Sequence, residues 1–197
     1  MENLNMLTDD VLVARYAEGD NKAFDELLAR YQGKLFNYIF FIVRSQEIAE
    51  DIFQETFVKA IVTIQQGRYT ASGKFGAWLT RIAHNMIIDN FRQERSENTI
   101  SNDETEIDLF NDADLCDDNI EMQMVSEQTL ADVRRLMDAL PDNQREVVYM
   151  RFYQDLSFKE IAEIIGVSIN TALGRMRYAL LNMRRIAEEK HIVLEVY

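Results

Sequence analysis

The sequence predicts an all-α protein made of two small helical domains joined by an acidic flexible linker, and three observations carry that prediction. Apolar residues recur at spacings of three and four through most of residues 8–91 and 130–183, the period of a one-sided helix. Backbone breakers are scarce, with 7 glycines and 1 proline in 197 residues, which favours helices joined by short turns over a sandwich or barrel. Between the helical stretches, residues 96–127 carry 11 acidic and no basic side chains; like charges at that density repel in a compact state. The expected boundaries are 1–95 for the first domain, 96–127 for the linker, 128–190 for the second domain and 191–197 for a C-terminal tail.

In the first domain, Thr8-Asp9-Asp10 supplies an N-cap and an acidic first turn for a helix through Val11, Leu12 and Tyr16. Gly19-Asp20-Asn21 interrupts it. A second helix carries Phe24, Leu27, Leu28, Tyr31, Leu35, Phe36, Ile39 and Phe40 on one side. Ser45-Gln46-Glu47 opens a third, with Ile48, Ile52, Phe53, Phe57, Ile61 and Ile64 inside. A loop from Gln65 to Lys74 leads to a fourth helix through Phe75, Leu79, Ile82, Met86 and Phe91. Trp78 has Phe75 and Ile82 at i−3 and i+4 and is expected in the core; His84 is expected as a hydrogen-bonded surface histidine.

In the second domain, Leu130, Val133, Met137 and Leu140 repeat at helical spacing. Pro141 is expected in the first turn of the next helix, where its missing N–H costs nothing, with Val147, Val148, Met150 and Phe152 as that helix's core. Ser157 and Glu160 form a capping box ahead of Ile161, Ile164 and Ile165. Gly166 gives a tight break, Val167 a core plug and Ser168 the cap of the last helix. In that helix Ile169, Ala172, Met176, Ala179, Leu180 and Met183 are expected to face inward. Asn170, Thr171, Gly174, Arg177 and Tyr178 then face solvent, with Arg175 on the flank.

Composition narrows the function. The net charge of −13 argues against nucleic acid only if it is spread evenly, and it is not: residues 96–127 hold −11, whereas 67–95 carry +3 and 166–197 carry +2. With charges screened beyond ~8 Å, a phosphate feels the nearest patch more than the total. The longest apolar run, Tyr38–Val43, is far too short for a membrane span, and Met1–Asp10 lacks a basic or apolar leader. A cytoplasmic chain without membrane insertion is expected. Cys116 is the sole cysteine and His84 and His191 the sole histidines, a poor set for disulfide or zinc, so neither metal nor cofactor is expected.

The segment from Leu156 to Tyr178 reads as a helix-turn-helix whose last helix is shaped for a major groove. An ordinary helical hairpin with a solvated face is the alternative. Against it, Arg175, Arg177, Arg184 and Arg185 stand without an acidic neighbour between Gly166 and Ala187, an excess that fits phosphate binding. Asn170, Thr171 and Arg177 are placed to reach base edges, Arg184 and Arg185 to touch the backbone.

Two further motifs, Asp51-Ile-Phe-Gln-Glu-Thr-Phe57 and Phe75-Gly-Ala-Trp-Leu-Thr-Arg-Ile-Ala-His-Asn-Met-Ile-Ile-Asp89, precede the helix-turn-helix. Together the three resemble the extracytoplasmic-function (ECF, group IV) sigma factors of the sigma-70 superfamily, in the family's order and over all but the linker. The resemblance implies a region 2 bundle for core-polymerase binding and −10 recognition and melting, and a region 4 helix-turn-helix for −35 recognition. It implies that Asp51, Gln54 and Glu55 dock on the β′ coiled coil of bacterial RNA polymerase core, and adds the β flap as a contact. It implies that Arg68, Tyr69, Lys74, Trp78, Arg81, Asn85 and Arg92 hold the −10 strand, aromatic rings stacking bases and cations following phosphates. For the −35 element it implies Asn170, Thr171, Gly174, Arg175, Arg177, Tyr178, Arg184 and Arg185. An anti-sigma protein, membrane-bound or soluble, is a candidate partner on the same ground. Gly174-Arg175 and Leu173 depart from the family's Ser-Arg and basic residue there, which bears on the −35 sequence read.

The function expected is therefore an alternative sigma factor that catalyses nothing itself. A lone helix-turn-helix regulator would account for residues 130–190 but leave 48–92 unexplained. A helical enzyme lacks a nucleophile–base pair, a phosphate loop or a metal-spaced cluster.

Overall fold

The computed structural model of the protein describes residues 4–98 and 126–192, and these are helical throughout apart from turns and connections. The chain divides into two compact units between Asp103 and Glu104, a point outside the described residues, as are most of the acidic stretch and Cys116.

The first unit has a 3₁₀ turn at Leu4–Met6 followed by α1 (Asp9–Ala17), α2 (Asn21–Val43), α3 (Gln46–Gln65) and α4 (Phe75–Asn98). Thr8 takes the extended N-cap conformation of α1, although its hydroxyl makes no capping bond. Asp20 caps α2 through the Lys22 N–H at 3.1 Å, and Ser45 caps α3 through the Ile48 N–H at 3.4 Å. These bonds satisfy donors that helix starts leave unpaired. Leu12, Leu27, Tyr38, Ile39, Ile64, Phe75, Leu79 and Ile87 are completely enclosed where α1 and α4 pack against α2 and α3.

Four details differ from the sequence reading, each for a packing reason. Val11 faces solvent and Val13 the core, since α1 presents Leu12, Val13 and Tyr16 to its neighbours. Phe40 stays partly exposed and Tyr38 takes the buried place beside Ile39. His84 is buried, 7% exposed, and its Nδ1 lies 3.2 Å from the Tyr38 hydroxyl. Because α4 packs on both α2 and α3, its buried arc is wide enough to include Thr80 and His84, and a polar group so enclosed needs its partner. Finally, α4 continues to Asn98, past the boundary drawn at 95, with the Ser96 hydroxyl donating to the Gln93 carbonyl at 2.8 Å in its last turns.

Gly76 marks a close approach that only the packed structure shows. A Cβ there would stand 2.7 Å from Cε1 of Tyr31, whose ring is held by a hydroxyl bond to Asp9 and by Phe75 at 5.3 Å. Gly76→Ala is expected to destabilise the first unit by about 1–3 kcal/mol through this overpacking. That outweighs the ~1 kcal/mol gained by alanine over glycine inside a helix. Urea unfolding of the full chain, followed by a probe in each unit, should show the first transition moving to lower denaturant and the second unmoved.

The second unit comprises α5 (Ser126–Asp138), α6 (Asp142–Phe152), α7 (Phe158–Ile165) and α8 (Ile169–Glu189). α8 runs as the spine against α5, α6 and α7, and Leu136, Met137, Leu140, Val147, Met150, Ile161, Ala172 and Ala179 are its sealed interior. Pro141 is the N-cap of α6 and stands just before the first turn, with φ −53° and ψ 143°. Its carbonyl accepts from the Gln144 and Arg145 N–H groups at 2.9 Å. Phe152 is 63% exposed, contrary to its expected core place; Tyr149 is buried instead, one turn back. Gln144 joins α6 to α8 through Asn182 at 2.8 Å.

The helix-turn-helix forms as its local chemistry dictates. The Ser157 hydroxyl accepts from the Glu160 N–H at 3.3 Å, and the Glu160 carboxylate accepts from the Ser157 N–H at 2.8 Å, a closed capping box. Gly166 ends α7 in the left-handed region at φ +70°, where a side chain would be strained. Ser168 caps α8 through the Thr171 N–H at 3.0 Å. Ile169 and Leu180, expected inside, are about half exposed, and Ile186 is buried in the helix's last turns.

Candidate nucleic-acid and polymerase interfaces

On α3, Ile52, Thr56, Phe57, Ala60 and Ile64 are buried, which leaves Asp51, Gln54 and Glu55 exposed on the opposite side. Glu55 pairs with Lys59 at 3.6 Å, both largely solvated, so the bond contributes little. The same stripe continues through Val58 and Val62, 57% and 40% exposed. Sequence reasoning missed these valines; the available signal was their position three to seven residues beyond the carboxylates on the polar side. A carboxylate patch running into bare apolar area suits a protein partner with basic and aliphatic groups.

The second surface is the loop between α3 and α4 with the outward side of α4. Arg68 and Lys74 are exposed in the loop, and Arg81, Asn85 and Arg92 are exposed along α4. Arg92 pairs with Asp89 at 3.3 Å on open surface. Tyr69 and Trp78 are half-buried against each other with ring centroids 4.7 Å apart at 67°. Phe75 supports both, 5.9 Å from Tyr69 and 5.5 Å from Trp78. Trp78 is thus packed into an aromatic cluster without being sealed in the core. Burial, then the Asp10 carboxylate, push the Tyr69 phenol far up from its usual range; it remains a hydrogen-bond donor at all physiological pH.

The third surface is α8. Asn170, Thr171, Arg177, Tyr178, Arg184 and Arg185 are exposed, while Gly174 and Arg175 are half-buried. Thr171 is partly engaged, its hydroxyl 2.8 Å from that of Ser168. Arg185 pairs with Glu189 at 2.7 Å. A Cβ on Gly174 would meet nothing within 4 Å, so packing within the chain does not demand glycine there. Leu173 and Leu181, also on α8, are 44% and 50% exposed. Further along, Leu136, Leu180, Met183, Ala187 and Ile192 line an open apolar groove. No helix among the described residues is long and apolar enough to cross a membrane.

Known proteins match this arrangement unit by unit. Residues 27–97 fit the family model for sigma-70 region 2 and residues 136–185 that for sigma-70 region 4. The sigma-E factor of Escherichia coli K12 is 33% identical over 176 residues, 86% of this chain and 89% of that protein. The sigma factor BldN of Streptomyces coelicolor is 33% identical over 156 residues, 79% of this chain but 56% of that longer protein. Among solved structures, CnrH bound to the cytosolic domain of CnrY shares the fold with a TM-score of 0.61 at 23% identity, covering 93% of this chain and 99% of that one. RpoE of Bartonella quintana, solved with the anti-sigma factor NepR, likewise has a TM-score of 0.61, at 19% identity, covering 85% and 98%. With both modules present in order and a third of the residues shared with curated relatives across most of its length, the chain belongs to the ECF RNA polymerase sigma factors of the sigma-70 family, alternative factors that direct transcription initiation.

Proposed function

We propose that the chain is a group IV sigma factor that works in the bacterial cytoplasm and leaves all covalent chemistry to the polymerase. The first unit binds core through the exposed Asp51, Gln54 and Glu55 on the β′ coiled coil, with Val58 and Val62 extending the contact. The loop and α4 hold the non-template strand of the −10 element, Arg68, Lys74, Arg81 and Arg92 following phosphates and Asn85 placed beside them. Tyr69 and Trp78 offer the partly open edge of an aromatic cluster to unpaired bases, stacking that is worth about 1–3 kcal/mol per base. The second unit reads −35 with α8: Asn170, Thr171 and Arg177 at base edges, Gly174 at close backbone approach, Arg175, Tyr178, Arg184 and Arg185 along the backbone. The apolar groove beside α8 suits the β flap. An anti-sigma partner is proposed by likeness to CnrH and RpoE, which were solved with CnrY and NepR. The observation that carries the reading is the pairing of an acidic docking face in one unit with an arginine-lined helix-turn-helix in the other.

DNase footprinting separates this from a lone regulator. The free protein is expected to leave a promoter unprotected at concentrations where protein plus core protects both −35 and −10. Protection by the free protein at an isolated operator would favour the regulator instead.

A further inference from the structure

From the bonds that converge on one carboxylate, we infer that Asp10 is a positioning residue for promoter melting. It holds the loop between α3 and α4 in the shape that meets the opened −10 strand. The inference rests on the reading that this loop and α4 hold that strand.

Asp10 stands in the first turn of α1, far from the loop in sequence. Its Oδ2 accepts the Gly73 N–H at 2.8 Å and its Oδ1 accepts the Tyr69 hydroxyl at 3.3 Å. One carboxylate therefore closes Tyr69–Gly73 into a small arch, with Thr70, Ala71 and Ser72 exposed between the two anchors. Gly73 adopts φ +67°, a conformation that presents its N–H to Asp10 and that other residues rarely take. The α3 end of the loop is closed separately, by the Arg68 N–H on the Thr63 carbonyl at 3.0 Å.

The helix turn that carries this carboxylate is itself held in place. Asp9, its neighbour, accepts from Arg30 Nη1 at 2.9 Å and from the Tyr31 hydroxyl. Arg30 also donates to the carbonyls of Leu7 at 2.9 Å, Leu4 at 3.2 Å and Asn5 at 3.1 Å. The segment ahead of α1 and the first turn of α1 are thereby tied to α2, and that same turn is tied, through Asp10, to the loop. A negative charge beside a polyanion's path is unfavourable unless it is used internally, and both Asp10 oxygens are so used. A loop already held in its bound shape avoids the ordering cost that a free one incurs on binding. Because the Tyr69 ring is also packed on Trp78 and Phe75, loss of Asp10 should loosen the arch without unfolding the unit.

The test uses the full chain with core polymerase on a promoter bearing its preferred −10 element and on one with that element scrambled. Asp10→Ala should still co-elute with core, yet form about ten-fold fewer open complexes, read by permanganate-reactive thymines, on the preferred promoter. The scrambled promoter should change by less than about two-fold, so discrimination collapses, which a general loss of folded protein would not produce. Asp10→Asn, which keeps one acceptor, and Tyr69→Phe, which removes one of the two bonds, should each give an intermediate loss. If Asp10→Ala also lowers core binding, these two decide, scored per core-bound complex. Unchanged discrimination in the Asp10 variants, with altered discrimination on changing Thr70, Ala71 and Ser72, would overturn the clasp and spare the −10 assignment. Unchanged discrimination in both sets would overturn both.

Discussion

Changing Asp51 and Glu55 together to lysine is expected to abolish stoichiometric co-elution of the chain with core RNA polymerase. Both side chains are exposed on α3, and the ion pair that Glu55 makes with Lys59 is itself solvated. Such a pair contributes about 0–1 kcal/mol, so the thermal unfolding curve should barely move. The effect on docking is of another size. A carboxylate facing a basic partner becomes a like charge there, and juxtaposed like charges at an interface cost several kcal/mol. At least about a hundred-fold weaker binding is expected, measured by gel filtration and by titration of labelled protein with core. Retained co-elution would remove α3 as the docking face and leave the family assignment, which rests on most of the chain, untouched.

Replacing Arg177 with alanine is the second large effect. Arg177 projects from α8 into solvent, opposite buried Ala172, Met176 and Ala179. If its guanidinium meets O6 and N7 of a guanine in the −35 element, its loss should cost about 1–3 kcal/mol and relax preference at one base pair. A set of promoters with each −35 position varied, scored in single-round transcription, reads this directly. A uniform fall across the set, with a shallower salt dependence, would make Arg177 a phosphate contact. Arg185 is a less informative target because Glu189 already engages it.

Much of the architecture was legible because its signals are local. The capping box at Ser157 and Glu160, the Gly166 break and the Ser168 cap each involve atoms within three residues, and each formed as read. The same holds for the Asp20 break and the Ser45 start. Misreadings cluster where a helix's inward arc is set by how many neighbours it has. α4 lies on two helices, so His84 and Thr80 are drawn inside; α8 meets three, yet Ile169 and Leu180 fall beyond their reach. Val58 and Val62 continue the Asp51–Glu55 stripe at helical spacing, but a valine signals the core by its apolar character, and only its place on the polar side tells against that.

The sequence by itself determined the helical class, the order of the modules, the helix-turn-helix and which side of α3 and α8 carries the charged groups. Those features follow from spacing along one chain, where 3.6 residues per turn fixes neighbours without reference to anything distant. Tertiary structure alone decided that Asp10 reaches Tyr69 and Gly73, that Arg30 gathers the segment before α1, that Gly76 must lack a Cβ beside Tyr31, and that Tyr38 partners His84. Each joins residues tens of positions apart. Such a bond exists only once the packing of α1, α2 and α4 has brought two backbones together, and no local propensity encodes that distance.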